Sequence, residues 1–417
     1  MKKTTKTLQI AIIFCLLALQ IQAQYGWEQQ NSGTTEILQS LDFTDELTGW
    51  AAGLGGTILK TSDGGQNWSD QNSGTSENLF SLCFVNSMKG WAVGENSTII
   101  FTVDGGSNWN TQSSTTTDNF TSVNFVDENN GWIVGTNNGA IHTSDGGTNW
   151  EPIGILPSLM KSVFFINLTH GWACGNMGSI YHTTDGGETW QFQDPGTYEG
   201  FFEIYFINEN KGWAVGSGGI TAWTIDGGDN WNLVLSPTSN FLYSLYFVNE
   251  ITGWVAGRFG TIMRTDDGGM SWGLQSTNSG SDLYGICMAN EYDGWAVGGD
   301  GNILHTQTGG LVGIKIYPID TDQSINLNSY PNPFAESTTI VFEIPPNETF
   351  QQPIKIEIFD LKGKMVETIY RGTLKPGKYE LKWDGKGMKG NSVVPGQYLV
   401  NILYGAESMT RKITKTD

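Results

Sequence analysis

Six aspartates recur in one short motif, at Asp63, Asp104, Asp145, Asp185, Asp226 and Asp267, within TSDGGQNW, TVDGGSNW, TSDGGTNW, TTDGGETW, TIDGGDNW and TDDGGMSW. Repeated carboxylates suggest acid–base chemistry or calcium, but either use requires several to converge on one reacting atom or ion. Here each stands alone, one per repeat. A mechanical role fits better. The aspartate accepts backbone N–H groups of its own turn, and Gly-Gly supplies positions with φ > 0. The sequence neighbours Asp45-Glu46, Asp127-Glu128 and Asp266-Asp267 alternate across a strand or sit in turns, so none forms an acid/base pair at glycosidase spacing. Between residues 25 and 310 the only arginines are Arg258 and Arg264, six positions apart, too few to clamp a substrate carboxylate from three sides.

The elements that position these residues follow from the repeat itself. Gly-Trp pairs place tryptophans at Trp50, Trp91, Trp132, Trp172, Trp213, Trp254 and Trp295, in steps of 41, 41, 40, 41, 41 and 41 residues. The second unit reads LFSLCFV, NSMKGWAVG, STIIFTVDGG and SNWNTQSS, which is four short strands separated by turn residues. A period near 40 built from such strands predicts an all-β fold, a seven-bladed β-propeller. In each first strand two apolar residues alternate with other positions, as Leu82 and Phe84 do, marking one packed face. Each Gly-Trp indole buries ~150–250 Å², roughly 4–6 kcal/mol of gross transfer energy, so the seven rings make an inter-blade core.

Closure is written in the ends of the repeat array. Trp27 lies 41 residues before Trp68, and Gln30-Asn31-Ser32-Gly33 matches Gln71-Asn72-Ser73-Gly74. The seventh unit carries Thr308 in the aspartate position and Gly313 where its tryptophan would stand. The N-terminal strand is therefore expected to complete blade seven and remove an exposed sheet edge. His142, His182 and His305 share the position before the motif threonine, superficially a metal ring. The third strand of a blade lies well out from the axis, so these residues cannot all approach one ion at about 2 Å. They read as outer-strand side chains, with no metal and no cofactor expected. Cys83, Cys174 and Cys287, an odd count, read as small buried apolar residues.

Residues 1–23 combine Lys2, Lys3 and Lys6, an apolar run from Ile10 to Leu19 and Ile21-Gln22-Ala23 before Gln24, the pattern of a signal peptide. The apolar run is too short for a membrane span. Residues 24–313 are assigned to the propeller, 314–327 to a linker and 328–417 to a second domain. From Tyr25 to Gly310 there are 30 Asp/Glu against four Lys and two Arg, a balance that disfavours nucleic acid. The remaining tail reads YPNPFAESTTIVFEI, IKIEIFDLKGKMVETIY, PGKYELKWDGK and VVPGQYLVNIL, alternating strands broken by turn dipeptides, enough for a small immunoglobulin-like β-sandwich.

Units such as VNFVDENNGWIVGTNNGAIHTSDGGTNW resemble the Asp-box (bacterial neuraminidase) repeats, and more closely the photosystem II stability/assembly factor-like propellers. That resemblance implies the fold; one scaffold of this kind carries many activities. The tail resembles the C-terminal type A sorting domain of the type IX secretion system of Bacteroidetes, through Pro331, Asn332, Pro333, Gly363, Lys364, Trp383, Asp384 and Gly385. It implies Sec export, recognition of residues 328–417 by the type IX machinery, and release or attachment at the outer cell surface.

Three functions compete. A sialidase lacks its arginine cluster. An extracellular glycoside hydrolase of the Asp-box propeller type sets two propellers face to face, and this chain has one. The expectation is a monomeric, secreted, non-enzymatic recognition, adhesion or assembly scaffold for an extracellular protein or glycan. Ligand surfaces of propellers lie mostly on second-to-third-strand and blade-to-blade loops, which here place Arg258, Phe259, Tyr198, Glu199 and Asp300 as candidates.

Overall fold

The computed structural model describes residues 26–137, 140–157, 159–310, 315–317, 327–344, 353–361, 364–374, 377–387, 390–404 and 407–416. The expected signal peptide and Gly363 lie outside these. Residues 26–310 form seven four-stranded antiparallel sheets. Blade one shows the plan: Leu38–Phe43 innermost, then Gly49–Gly53, Ile58–Thr61 and Ser69–Gln71. A register shift after the first residue of the inner strand recurs in all seven blades, for example between Leu38 and Ser40. Blade seven takes Leu283–Met288, Gly294–Gly298 and Ile303–Thr306 from its own repeat and Glu28–Gln30 from the N-terminus. Gln30 pairs with Ile303 and Glu28 with His305.

Aromatic packing seals the ring. Trp50 stacks on Phe84 of the next blade with centroids 3.7 Å apart, and Trp295 of blade seven stacks on Phe43 of blade one at 3.6 Å. Phe43 also meets Trp68 edge-on at 5.9 Å. The glycine before each tryptophan is needed because the last residue of the inner strand lies over it, a phenylalanine in six blades and Met288 in blade seven: a Cβ on Gly49 would stand 2.5 Å from the Phe43 ring. Trp27 is fully buried and donates to Gln275 Oε1 at 2.8 Å, as Trp68 donates to Gln30 at 3.2 Å. Trp27 thus fills the tryptophan position that the seventh repeat lacks.

The two faces of the ring carry different turns. The turn after Thr61 joins the first-to-second-strand turn through Gly64 N–H to Leu47 O, 2.9 Å. On the other face, the second-to-third-strand turn meets the blade-to-blade loop through Leu54 N–H to Ile37 O, also 2.9 Å.

The described residues of 327–416, with Lys315–Tyr317, form the second domain, a sandwich of two four-stranded sheets around Phe334, Ile340, Ile356, Tyr379, Trp383 and Val400. Lys315–Tyr317, expected as linker, is an edge strand paired with Lys378–Glu380. Tyr292, in a turn of blade seven, is buried with Tyr370 and Leu374 of the sandwich, and Thr373 Oγ1 donates to Glu291 Oε2.

Candidate functional site

The recurring aspartates are turn clamps. Asp63 Oδ1 accepts the Thr61 hydroxyl and the Asn67 N–H, each at 2.9 Å, while Oδ2 accepts the Asn67 amide at 2.8 Å. Thr61 Oγ1 in turn accepts Gly65 N–H at 2.8 Å. Asp104, Asp145 and Asp226 repeat the set with Asn108, Asn149 and Asn230. Asp185 and Asp267 use Thr189 and Ser271 hydroxyls instead. The Asn67 amide and N–H hold the Asp63 carboxyl below its usual range. In the seventh unit Thr306 Oγ1 still accepts Gly310 N–H at 2.7 Å, with Thr308 beside it.

The histidines cap the Gly-Trp rings. His142, His182 and His305 lie 4.7, 4.7 and 4.8 Å from Trp132, Trp172 and Trp295. Lys60 and Arg264 take the same place over Trp50 and Trp254. Burial lowers the His305 pKa to about 4, so that ring is neutral at ordinary pH. Among the described residues no three His, Cys, Asp or Glu side chains are grouped to hold a metal.

The candidate ligand residues share the face of the second-to-third-strand turns without forming one cluster. Phe259 sits at φ 57° and is 60% exposed. Its blade-five counterpart is Gly218, at φ 64°. A bulky residue held left-handed costs of order 1–3 kcal/mol, and a ring this exposed recovers little of it by burial. Phe259 N–H donates to Asp282 Oδ1 at 2.9 Å. The Arg258 guanidinium lies 4.6 Å from the Phe259 ring and 5.8 Å from that of Phe241. Phe241 continues to Phe202 at 5.8 Å, Phe202 to Tyr243 at 5.5 Å, and Tyr243 to Tyr284 at 5.0 Å. The pair singled out by sequence is therefore the outer end of an aromatic path running inward. Tyr198 is 93% exposed, Glu199 accepts the Ser217 hydroxyl at 2.7 Å, and Asp300, at φ 57°, accepts that of Ser281 at 3.0 Å. Glu199 and Asp300 are thus each held by a serine of a neighbouring loop.

The path ends at the central channel, a cavity of about 270 Å³ lined by the inner strands of all seven blades. Ser40, Ser81, Ser122 and Ser244 accept the N–H of the next blade's inner strand at 3.1–3.2 Å. Glu203 replaces that serine in blade five and accepts Leu245 N–H at 2.7 Å. Asp42 accepts Phe84 N–H at 2.7 Å. Both carboxylates reach the bore but are walled by protein. Burial pushes Asp42 up to about 6 and Glu203 up to about 7. Cys83 and Cys287 also line the bore, their thiols raised by burial and by Asp42, Cys83 to about 12. All three cysteines are free, with Cys174 and Cys287 buried and Cys83 half-buried. Sequence reasoning missed Asp42 and Glu203. The signal for Glu203 was present, as one glutamate breaking a serine series.

The profile of a family described as photosynthesis system II assembly factor YCF48 matches residues 70–161, 156–238 and 229–317, more than half of the chain. The chain belongs to the YCF48 family. YCF48 bound to a D1 peptide is 23% identical, with TM-score 0.59 over 68% of this chain and 97% of that one. YCF48 from Cyanidioschyzon merolae is 21% identical, with TM-score 0.57 over 67% and 98%. PorZ, described as an essential bacterial surface component of the type IX secretion system of Porphyromonas gingivalis, is 14% identical, with TM-score 0.59 over 91% of this chain and 59% of that one. These likenesses are of fold. No curated protein matches the chain. A profile of the FlgD Ig-like domain matches residues 328–407.

In this YCF48-family propeller Arg258 is the exposed arginine. Arg264 is buried, paired with Asp266 at 2.8 Å and bonded to Gly309 O at 3.3 Å. In the tail, Asn332 Oδ1 accepts Thr414 N–H at 2.9 Å and its amide donates to Lys412 O, tying Pro331-Asn332-Pro333 to the last strand. Trp383 Nε1 donates to Lys386 O at 2.7 Å, Asp384 pairs with Lys386 at 2.7 Å, and Gly385 takes φ 67°. Lys364 N–H closes a turn on Asp360 at 3.0 Å. These residues bind the sandwich together.

Proposed function

We propose that this chain is an exported, non-enzymatic recognition scaffold, carried to the outer surface by residues 328–417 through the type IX secretion machinery. Its recognition face is the one bearing Arg258, Phe259 and Phe241. The observation that carries the reading is Phe259: a strained, exposed ring beside the Arg258 cation, which links it through Phe241 to the aromatic path at the channel mouth. Exposed apolar side chains extend the same face, with Met177 75% exposed at φ 58° beside the Tyr198 loop. Aromatic anchors with arginine are the residues that dominate protein–protein binding. The D1 peptide bound to YCF48 and the surface role of PorZ support a protein partner at the cell exterior.

The test is capture of surface proteins and a glycan array with the full chain against Phe259→Gly and Arg258→Ala. Binding lost in both variants is expected, with melting unchanged in Arg258→Ala and unchanged or raised in Phe259→Gly, where glycine relieves the positive φ; binding that survives both places the site elsewhere.

The alternative, an extracellular glycoside hydrolase, has one observation in its favour: Glu203, raised to about 7, has the protonation of a general acid. It sits inside a narrow bore rather than across an open cleft. Turnover of sialosides or β-glucans, abolished by one Asp or Glu substitution that leaves the fold intact, would establish that alternative.

A further inference from the structure

The channel mouth carries more than the recognition face requires. Phe202, Tyr243 and Tyr284 come from the inner strands of blades five, six and seven and line the bore side by side. Their rings are 5.5 and 5.0 Å apart and tilted by 47° and 38°. An arc of rings presents negative faces that attract organic cations. Next to Phe202 in the same strand is Glu203. Five other blades make the equivalent link between strands with serine, in bonds such as Ser244 to Ile286 N–H, so the fold does not need a carboxylate there. Among the described residues neither Glu203 nor Asp42 forms an ion pair. Lys161 is the one basic side chain lining the bore, and it pairs with neither.

The geometry points to a binding site for an organic ammonium or guanidinium group, held between Phe202, Tyr243 and Tyr284 with the Glu203 carboxylate beneath it. A metal ion suits the site poorly, since no three ligating side chains are grouped there among the described residues. A cation with apolar substituents matches both halves of the site: its charge meets Glu203 and its methyl or methylene groups meet the rings. The site rests on the recognition face proposed above, and the group can arrive as a free small molecule or as a lysine or arginine side chain of a bound segment.

The experiment is calorimetric titration of the full chain at about pH 8, above the raised Glu203 value of about 7 so that the carboxylate is ionised, with choline, with the tripeptide Gly-Lys-Gly, and with 3,3-dimethylbutan-1-ol, the uncharged isostere of choline. At least one cation is expected to bind and the alcohol not to. Choline alone marks a small-molecule site, and the tripeptide alone or both mark a side-chain site. Glu203→Ser installs the residue other blades use, so melting is retained while affinity falls at least about tenfold. Tyr243→Leu weakens binding in the same direction, and Lys161→Gln strengthens it by removing a competing charge. Silence from both cations, equal binding of the alcohol, or unchanged affinity in Glu203→Ser overturns the site. If Phe259→Gly abolishes partner capture while both cations stay silent, the recognition face stands and only this site falls.

Discussion

At the scale of single residues, the chain holds carboxylates of opposite character. The turn aspartates are fully bonded and sit below their usual pKa, so their contribution is present above the unfolded value near 4 and is lost as pH falls further. Asp42 and Glu203 behave the other way. Folding raises both, to about 6 and about 7, so their contribution is fully present below their unfolded values and is lost as pH rises through the folded ones. The melting temperature is therefore expected to fall between pH ~5 and ~8. In Glu203→Ser that fall shrinks by about 2–5 °C, because the later titration is gone. Thermal scans across this range check it, and identical slopes for both proteins would show that Glu203 is not held as described. The turn aspartates were legible because a motif repeated six times names itself. Glu203 was not, because hydrophobic alternation along a strand says nothing about which face meets an axial channel. Only superimposing the repeats makes the missing serine stand out.

At the scale of elements, the blade was readable almost strand by strand. Periodicity two, Gly-Trp and the turn motif each mark one part of a four-stranded sheet, and the N-terminal match to the fourth strand gave the closure. The three-residue strand Lys315–Tyr317 escaped, because its partner in the same sheet, Lys378–Glu380, is distant in sequence and the pairing leaves no local pattern. Closure makes a quantitative prediction. Trp27 is fully buried and hydrogen-bonded to Gln275 of the neighbouring blade, so Trp27→Ala is expected to cost about 3–5 kcal/mol in denaturant unfolding. Removing residues 25–33 leaves Ile303–His305 an open edge, and aggregation follows. An unchanged transition for that deletion contradicts closure by the N-terminus.

At the scale of the whole molecule, an acidic ring with one aromatic face is joined to a sandwich tail that packs against Tyr292. The ring was evident from the sequence because it is periodic. The chemistry at its axis was not, because an axial site is built from one residue per repeat and no window of sequence contains it. If the tail is an export signal, mass spectrometry of the surface or medium form should find most of residues 328–417 removed, and tail deletion should leave the propeller in the periplasm. An intact C-terminus on a periplasmic protein argues against that route.

The most direct test of recognition by the Arg258–Phe259 face is site-specific photo-crosslinking on intact cells. A photoreactive residue at Phe259 is compared with one at Ile225, equally exposed on the opposite face of the ring. Crosslinks to one defined surface partner from position 259, competed by unlabelled protein and absent from position 225, are expected. Equal crosslinking from both positions, or from 225 alone, would contradict it.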